Sequence, residues 1–269
     1  MQNVSSDVFM SNRHFDFTGV KDLSIQINQL GEELQELDSL YSEVNDEYEA
    51  SNKDNDLYLK LMRVSIMRNV LKEKYLLLEI CLEGILEKRK QQIADTVVEI
   101  SPEILNYFDS VDFNLADYLY SDNFLTLALR GNGTVVGLGY SFEPSDPNHS
   151  FPTLLMMEQR ITDLKVEMDA VGKLNEDLWD KYNASNHDSE LYIRATNVDL
   201  EYTDVKDEFK LIKMCYDGLV NERRKAIVST ILDIDDSLIE QMDSSDFNLF
   251  DYFCSDEYFD ALEEYCKRK

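Results

Sequence analysis

Basic side chains, proline, glycine, cysteine and long apolar runs are all scarce in this chain, and each scarcity removes a class of protein. Lysine and arginine number 26 against 54 acids, a net charge of −28, so the phosphate backbone of nucleic acid is repelled and basic partners are steered in. Four prolines and nine glycines in 269 residues argue against a turn-rich all-β fold and for long uninterrupted helices. Cys81, Cys215, Cys254 and Cys266 are too few for a disulfide framework and stand in no CxxC or Cys/His cluster, so they read as reduced thiols. The three histidines, His14, His149 and His187, fall in a tail, a linker and a turn, and GxSxG, P-loop, GxGxxG and HExxH motifs are absent. The expectation is a protein that is not an enzyme and carries no cofactor or metal. Without a run of 18 apolar residues or a basic, hydrophobic N-terminus, it is expected inside the cell, in cytoplasm or nucleus.

What is present is a core and a repeat. Hydrophobic residues make up 43% of the chain and aromatics 11%, which excludes a wholly disordered acidic polymer. The segment DSVDFNLADYLYSDNF from Asp109 returns as DSSDFNLFDYFCSDEY from Asp243, a shift of 134. The same shift, without a gap, aligns 17–130 with 151–264 at 32 identities in 114 positions, which reads as a tandem duplication. The period is too long for one layer of a solenoid, so each copy reads as a small domain. Between the copies, 131–152 holds four of the nine glycines and three of the four prolines. The expected order is a flexible tail (1–16), a helical repeat domain (17–130), a linker (131–152) whose Val135, Val136, Leu138, Tyr140 and Phe142 offer local packing, and a second helical domain (153–269).

Within each copy the apolar rhythm is helical. Ile27, Leu30, Leu34, Leu37, Tyr41, Val44 and Tyr48 alternate steps of three and four, as do Ile161, Leu164, Met168, Val171, Leu178 and Tyr182. A second stripe runs through Leu57, Leu61, Val64, Leu71, Tyr75, Leu78, Leu82 and Ile85, with its counterpart from Leu191 to Leu219. Asn52 or Asp54, and Asn186 or Asp188, suit the intervening turns. The fold class is therefore all-α: a duplicated helical hairpin, coiled-coil-like, with short C-terminal helices in each copy. The helices are expected over 20–50 and 54–98, and the overhang of the second is covered by the short helices, capped by Asp112, Ser121, Asp246 and Ser255. Gly84 and Gly218 sit mid-helix, where glycine costs about 1 kcal/mol relative to alanine, and point to a kink or close helix crossing.

Two segments are candidate partner-binding sites. Phe113, Leu115 and Tyr118, with Phe247, Leu249 and Tyr252, form an acidic-aromatic motif that reads either as a docking surface or, more simply, as core filling under the hairpin overhang. Lys88, Arg89 and Lys90, with Arg223, Arg224 and Lys225, are the densest cations and suit an acidic peptide or phosphate, a solvated helix face, or pairing with nearby aspartates. The leading functional reading is a protein–protein interaction adaptor whose two homologous acidic domains present paired surfaces to a basic or amphipathic helical partner. The alternatives are an acidic nucleic-acid mimic that inhibits a DNA- or RNA-binding protein, and a coiled-coil component that self-associates through open seams.

Overall fold

A computed structural model describes residues 19–129 and 152–268. Among them the regular structure is helical, without strands. The tail 1–16, nearly all of the linker 131–152, His14 and His149 lie outside the described residues.

Among the described residues ten helices follow in two series. The first is α1 (Val20–Ala50), α2 (Asn55–Ile100), α3 (Ile104–Tyr107), α4 (Leu115–Leu119) and α5 (Asp122–Leu129); the second is α6 (Leu154–Ala184), α7 (Ser189–Ile234), α8 (Leu238–Gln241), α9 (Leu249–Phe253) and α10 (Asp256–Arg268). Each helix of the second series begins 134 residues after its counterpart: 154 − 20, 189 − 55, 238 − 104, 249 − 115 and 256 − 122. α1 and α6 both have 31 residues, and α2 and α7 both have 46, so the latter are about 69 Å long.

The starts and stops have local causes. Asp54 Oδ1 accepts from the amides of Asp56 and Leu57 at 2.8 and 3.1 Å and starts α2; Asp188 Oδ1 does the same for Glu190 and Leu191 at 2.8 and 3.2 Å and starts α7. Asn52 takes the left-handed backbone (φ 54) that asparagine tolerates in the first turn. Ser121 and Ser255 accept from the amides of Phe124 and Tyr258 at the starts of α5 and α10, as expected. Asp112 is not the cap of α4: Asn114 Oδ1 accepts from Ala116 N at 3.1 Å, because the helix begins later than the aspartate can reach. Asp246 likewise lies three residues before the start of α9 and instead accepts from the Ser245 hydroxyl.

The chain divides into two compact units, Met1–Lys90 with Ser237–Asn248, and Gln91–Asp236 with Leu249–Lys269. In the first unit, α1 and α2 pack through Leu23, Ile27, Leu30 and Leu78, with Leu71, Tyr75, Leu82 and Ile85 against them, and α8 lies on α1. Every residue of the two expected stripes in this hairpin is buried or half-buried. In the second unit α6 runs along α7, α3 packs on both, and α4 packs on α7 and α10. Its core joins Ile93, Val97 and Ile100 at the end of α2, Ile227, Ile231 and Ile234 at the end of α7, and the fully buried rings of Tyr118, Phe124, Phe253 and Tyr258. Each such side chain contributes roughly 1.5–3 kcal/mol by leaving water. Short helices do cover the long ones, but α3 and α8 do not cover those of their own copy: α8 lies on α1, and α3 lies on α6 and α7, because packing rather than chain order decides which hairpin a short helix joins. The close helix crossing expected at Gly84 and Gly218 is absent: a Cβ at either position would meet nothing within 4 Å.

Candidate functional site

The basic triplets resolve into two arginines with internal partners and four residues nearer the surface. Arg89 Nη1 donates to the Ile239 carbonyl and its Nη2 to Asp243. Arg223 donates to the Leu105 carbonyl and to Asp109. Subtracting 134 from 223, 239 and 243 gives 89, 105 and 109, so the two sets of partners are equivalent and reciprocal. Each arginine on a long helix holds the short helix that follows the other long helix. The aspartates do a second task. Asp243 Oδ1 accepts from Val20 N, the first amide of α1, at 3.0 Å, and Asp109 Oδ2 accepts from Leu154 N, the first amide of α6, at 3.1 Å. An anion at a helix N-terminus and opposite a guanidinium is stabilised by both.

These clasps are largely buried: the Arg89 and Arg223 side chains are 13% and 7% exposed. Burial alone would push the Asp243 carboxyl up, but the Val20 and Lys21 amides and the Arg89 guanidinium together hold it below the usual carboxylate range. The two clasps differ at one point. α6 starts with Thr153, whose own Oγ1 accepts from Met156 N at 3.2 Å. α1 starts with Gly19, which has no capping side chain, and a Cβ there would stand 2.3 Å from the Asp243 carboxylate. Arg223 also lies over the Phe108 ring, 5.9 Å from its centre.

The remaining cations sit outside the clasps. Lys88 is exposed; Lys90 pairs with Glu87 at 2.6 Å; Lys225 pairs with Glu222 at 3.1 Å; Arg224 pairs with Asp95. In the DFNL segments, Leu115, Tyr118 and Tyr252 are buried, while Phe113, Phe247 and Leu249 are half-buried. The tyrosine hydroxyls are anchored at equivalent places by different residues: Tyr118 shares a 2.6 Å hydrogen bond with Ser101, and Tyr252 donates to Asp235 at 2.6 Å. Burial, reinforced by the Asp235 carboxylate, pushes the Tyr252 hydroxyl well above its ordinary range. His187 lies in its turn with Nδ1 3.2 Å from the Tyr182 hydroxyl. Among the described residues no group of three or more His, Cys, Asp or Glu converges as metal ligands, and no helix is long and apolar enough to cross a membrane.

The surface that sequence periodicity did not single out is the back of each long helix, away from its hairpin partner. Leu59, Ile66, Leu77 and Ile80 on α2, and Ile193, Leu200, Leu211 and Met214 on α7, are each between 51% and 72% exposed. These four pairs are again 134 apart. The signal was in the sequence, as apolar residues left over once each buried stripe was drawn.

No protein-family model, curated protein or solved structure matches the chain.

Proposed function

We propose that the chain is a non-enzymatic interaction adaptor, a tandemly duplicated helical hairpin that offers two related outward helix faces to helical protein partners. The observation that carries this reading is the register of exposed apolar residues. Four apolar positions recur on the solvent side of both long helices, where folding does not require them and water opposes them. Their spacing, 59–66 and 77–80 on one helix and the same on the other, follows a helix face, the pattern by which a groove or groove-filling helix is recognised. The common offset of all five helix starts supports the duplication, and two faces on one chain support divalent binding.

The test compares proteins captured by the full chain with those captured by Ile66→Glu/Leu77→Glu and by Leu200→Glu/Leu211→Glu. All eight carriers of the faces are solvent-exposed, so circular dichroism is expected to be unchanged. The reading requires each double substitution to remove bound protein in proportion to its face. Capture that ignores both substitutions refutes it.

A further inference from the structure

The two hairpin tips are equivalent in position and different in chemistry. In the first copy two rings close the turn between α1 and α2: Tyr48 and Tyr58 stand 5.8 Å apart between centres. Their counterparts on α6 and α7, Tyr182 and Tyr192, stand 5.5 Å apart. Two tyrosines therefore suffice to close this turn. The second copy adds Trp179 and His187, where the first has Asn45 and Lys53. Trp179, the one tryptophan of the chain, is half-buried and meets Tyr182 and Tyr192 nearly at right angles, 5.6 and 6.0 Å between centres. Tyr192 is 48% exposed, so the cluster keeps ring surface in water.

Charge diverges at the same place. Glu176 lies one turn before Trp179, Asp188 one turn before Tyr192 and Asp199 two turns after it, and all three are exposed. Asp199 is held on this flank by Asn175, one turn from Trp179, whose Nδ2 donates to it at 3.0 Å. In the first copy the matching residues are Ser42, Asp54 and Ser65, with Lys53 beside them. Three acids and no Lys or Arg give this flank −3 in the second copy, whereas one acid and one base give 0 in the first. Lys181 and Arg194, the two bases from 175 to 199, follow Trp179 and Tyr192 by two residues each and so point about 200° away from them.

We propose that the flank formed by Trp179, Tyr192 and the carboxylates of Glu176, Asp188 and Asp199 is a docking site for an arginine-rich segment of a partner protein. Rings whose centres lie 5.5–6.0 Å apart touch one another, so no cage is left between them for an ammonium group to enter. What stays open is the outer ring surface, most of all that of Tyr192. A planar guanidinium stacks on such a surface and turns its N–H edge to the carboxylates beside it. A lysine ammonium is a compact, strongly hydrated point charge and cannot do both. Three carboxylates spread over two helices suit several arginines better than one small cation, and they repel the phosphates of nucleic acid. The site sits at the end of the second hairpin and does not depend on the outward faces of α2 and α7.

The single tryptophan reports on the site directly. Titration of the full chain with a hexa-arginine peptide is expected to change the Trp179 emission saturably, with an affinity at least about threefold tighter than that of hexa-lysine. Glu176→Ser/Asp199→Ser, which installs the residues of the first copy, is expected to weaken binding about tenfold. Asp177→Ser/Glu190→Ser removes the same charge from other sides of the two helices and is expected to weaken it less than about twofold. Trp179→Asn/His187→Lys, followed by calorimetry, is expected to lose about tenfold. Circular dichroism should show the helicity of every variant unchanged. An emission that ignores hexa-arginine, equal weakening by the two double serine substitutions, or hexa-lysine bound as tightly as hexa-arginine overturns the inference. None of these variants alters the outward faces, so protein capture there and binding here succeed or fail separately.

Discussion

Replacing Asp243 by alanine removes three bonds at once, and their sum can be worked from the structure. The carboxylate accepts from Arg89 and from the first amides of α1, and Arg89 is left with only the Ile239 carbonyl. A charge-assisted hydrogen bond contributes about 1.5–3 kcal/mol, and breaking a fully buried pair costs about 3–5. The Asp243 side chain is 20% exposed, so solvent screens the pair and the lower value of about 2 kcal/mol applies. Loss of the only side chain on the first amide of α1 adds about 1 kcal/mol, because Gly19 offers no cap of its own. Asp243→Ala is therefore expected to destabilise the chain by about 3 kcal/mol. Asp109→Ala is expected to cost about 3 kcal/mol as well: its pair with Arg223 is less exposed, 12% and 7%, and so less screened, which offsets the cap that Thr153 still gives the Met156 amide of α6. Urea unfolding followed by circular dichroism reads both. A loss below about 1 kcal/mol at either aspartate would refute the reasoning.

Three other outcomes follow from particular groups. Gly84→Ala and Gly218→Ala each gain up to about 1 kcal/mol in thermal unfolding, since both sit mid-helix with open space at the Cβ position; a loss would mean that a neighbour needs the gap. Tyr258→Phe gains about 1 kcal/mol in urea, because the fully buried hydroxyl has no hydrogen-bond partner among the described residues and Phe124 fills the equivalent position without one; destabilisation would show that the hydroxyl is satisfied. The Asp243 carboxyl is depressed in the folded state, so its contribution is present above the ordinary carboxylate range near pH 4 and is lost as pH falls through the lower folded value. Stability of the parent chain should therefore fall more steeply below about pH 4 than that of Asp243→Asn, and parallel curves would contradict this.

The helices were legible because their signal is local. The stripes from Ile27 to Tyr48 and from Leu57 to Ile85 set helix type and facing, Asp54 and Asp188 set the starts, and all these positions behave as read. The partners of Arg89 and Arg223 were not legible, because pairing with Asp243 or with Asp109 is equally compatible with a sequence in which both arginines and both aspartates recur at one offset. Which hairpin a short helix joins is decided by packing over more than 100 residues of separation, and periodicity carries no such information. Asp112 misled for a smaller reason: either Asp112 or Asn114 suits a cap, and the helix start at Leu115 chooses the latter. The outward stripe on α2 was hidden by its own buried stripe, since a helix that is apolar on two faces shows no clean alternation.

The central structural claim is the reciprocal clasp, and charge reversal tests it most directly. Arg89→Asp places a carboxylate against Asp243 and is expected to destabilise the chain strongly. A second substitution, Asp243→Arg, should restore part of that loss, with a coupling free energy of about 1–3 kcal/mol from the completed urea cycle. The same first substitution combined with Asp109→Arg should show no coupling. Rescue by Asp109→Arg instead of Asp243→Arg would contradict the account, for each short helix would then belong to the hairpin that precedes it.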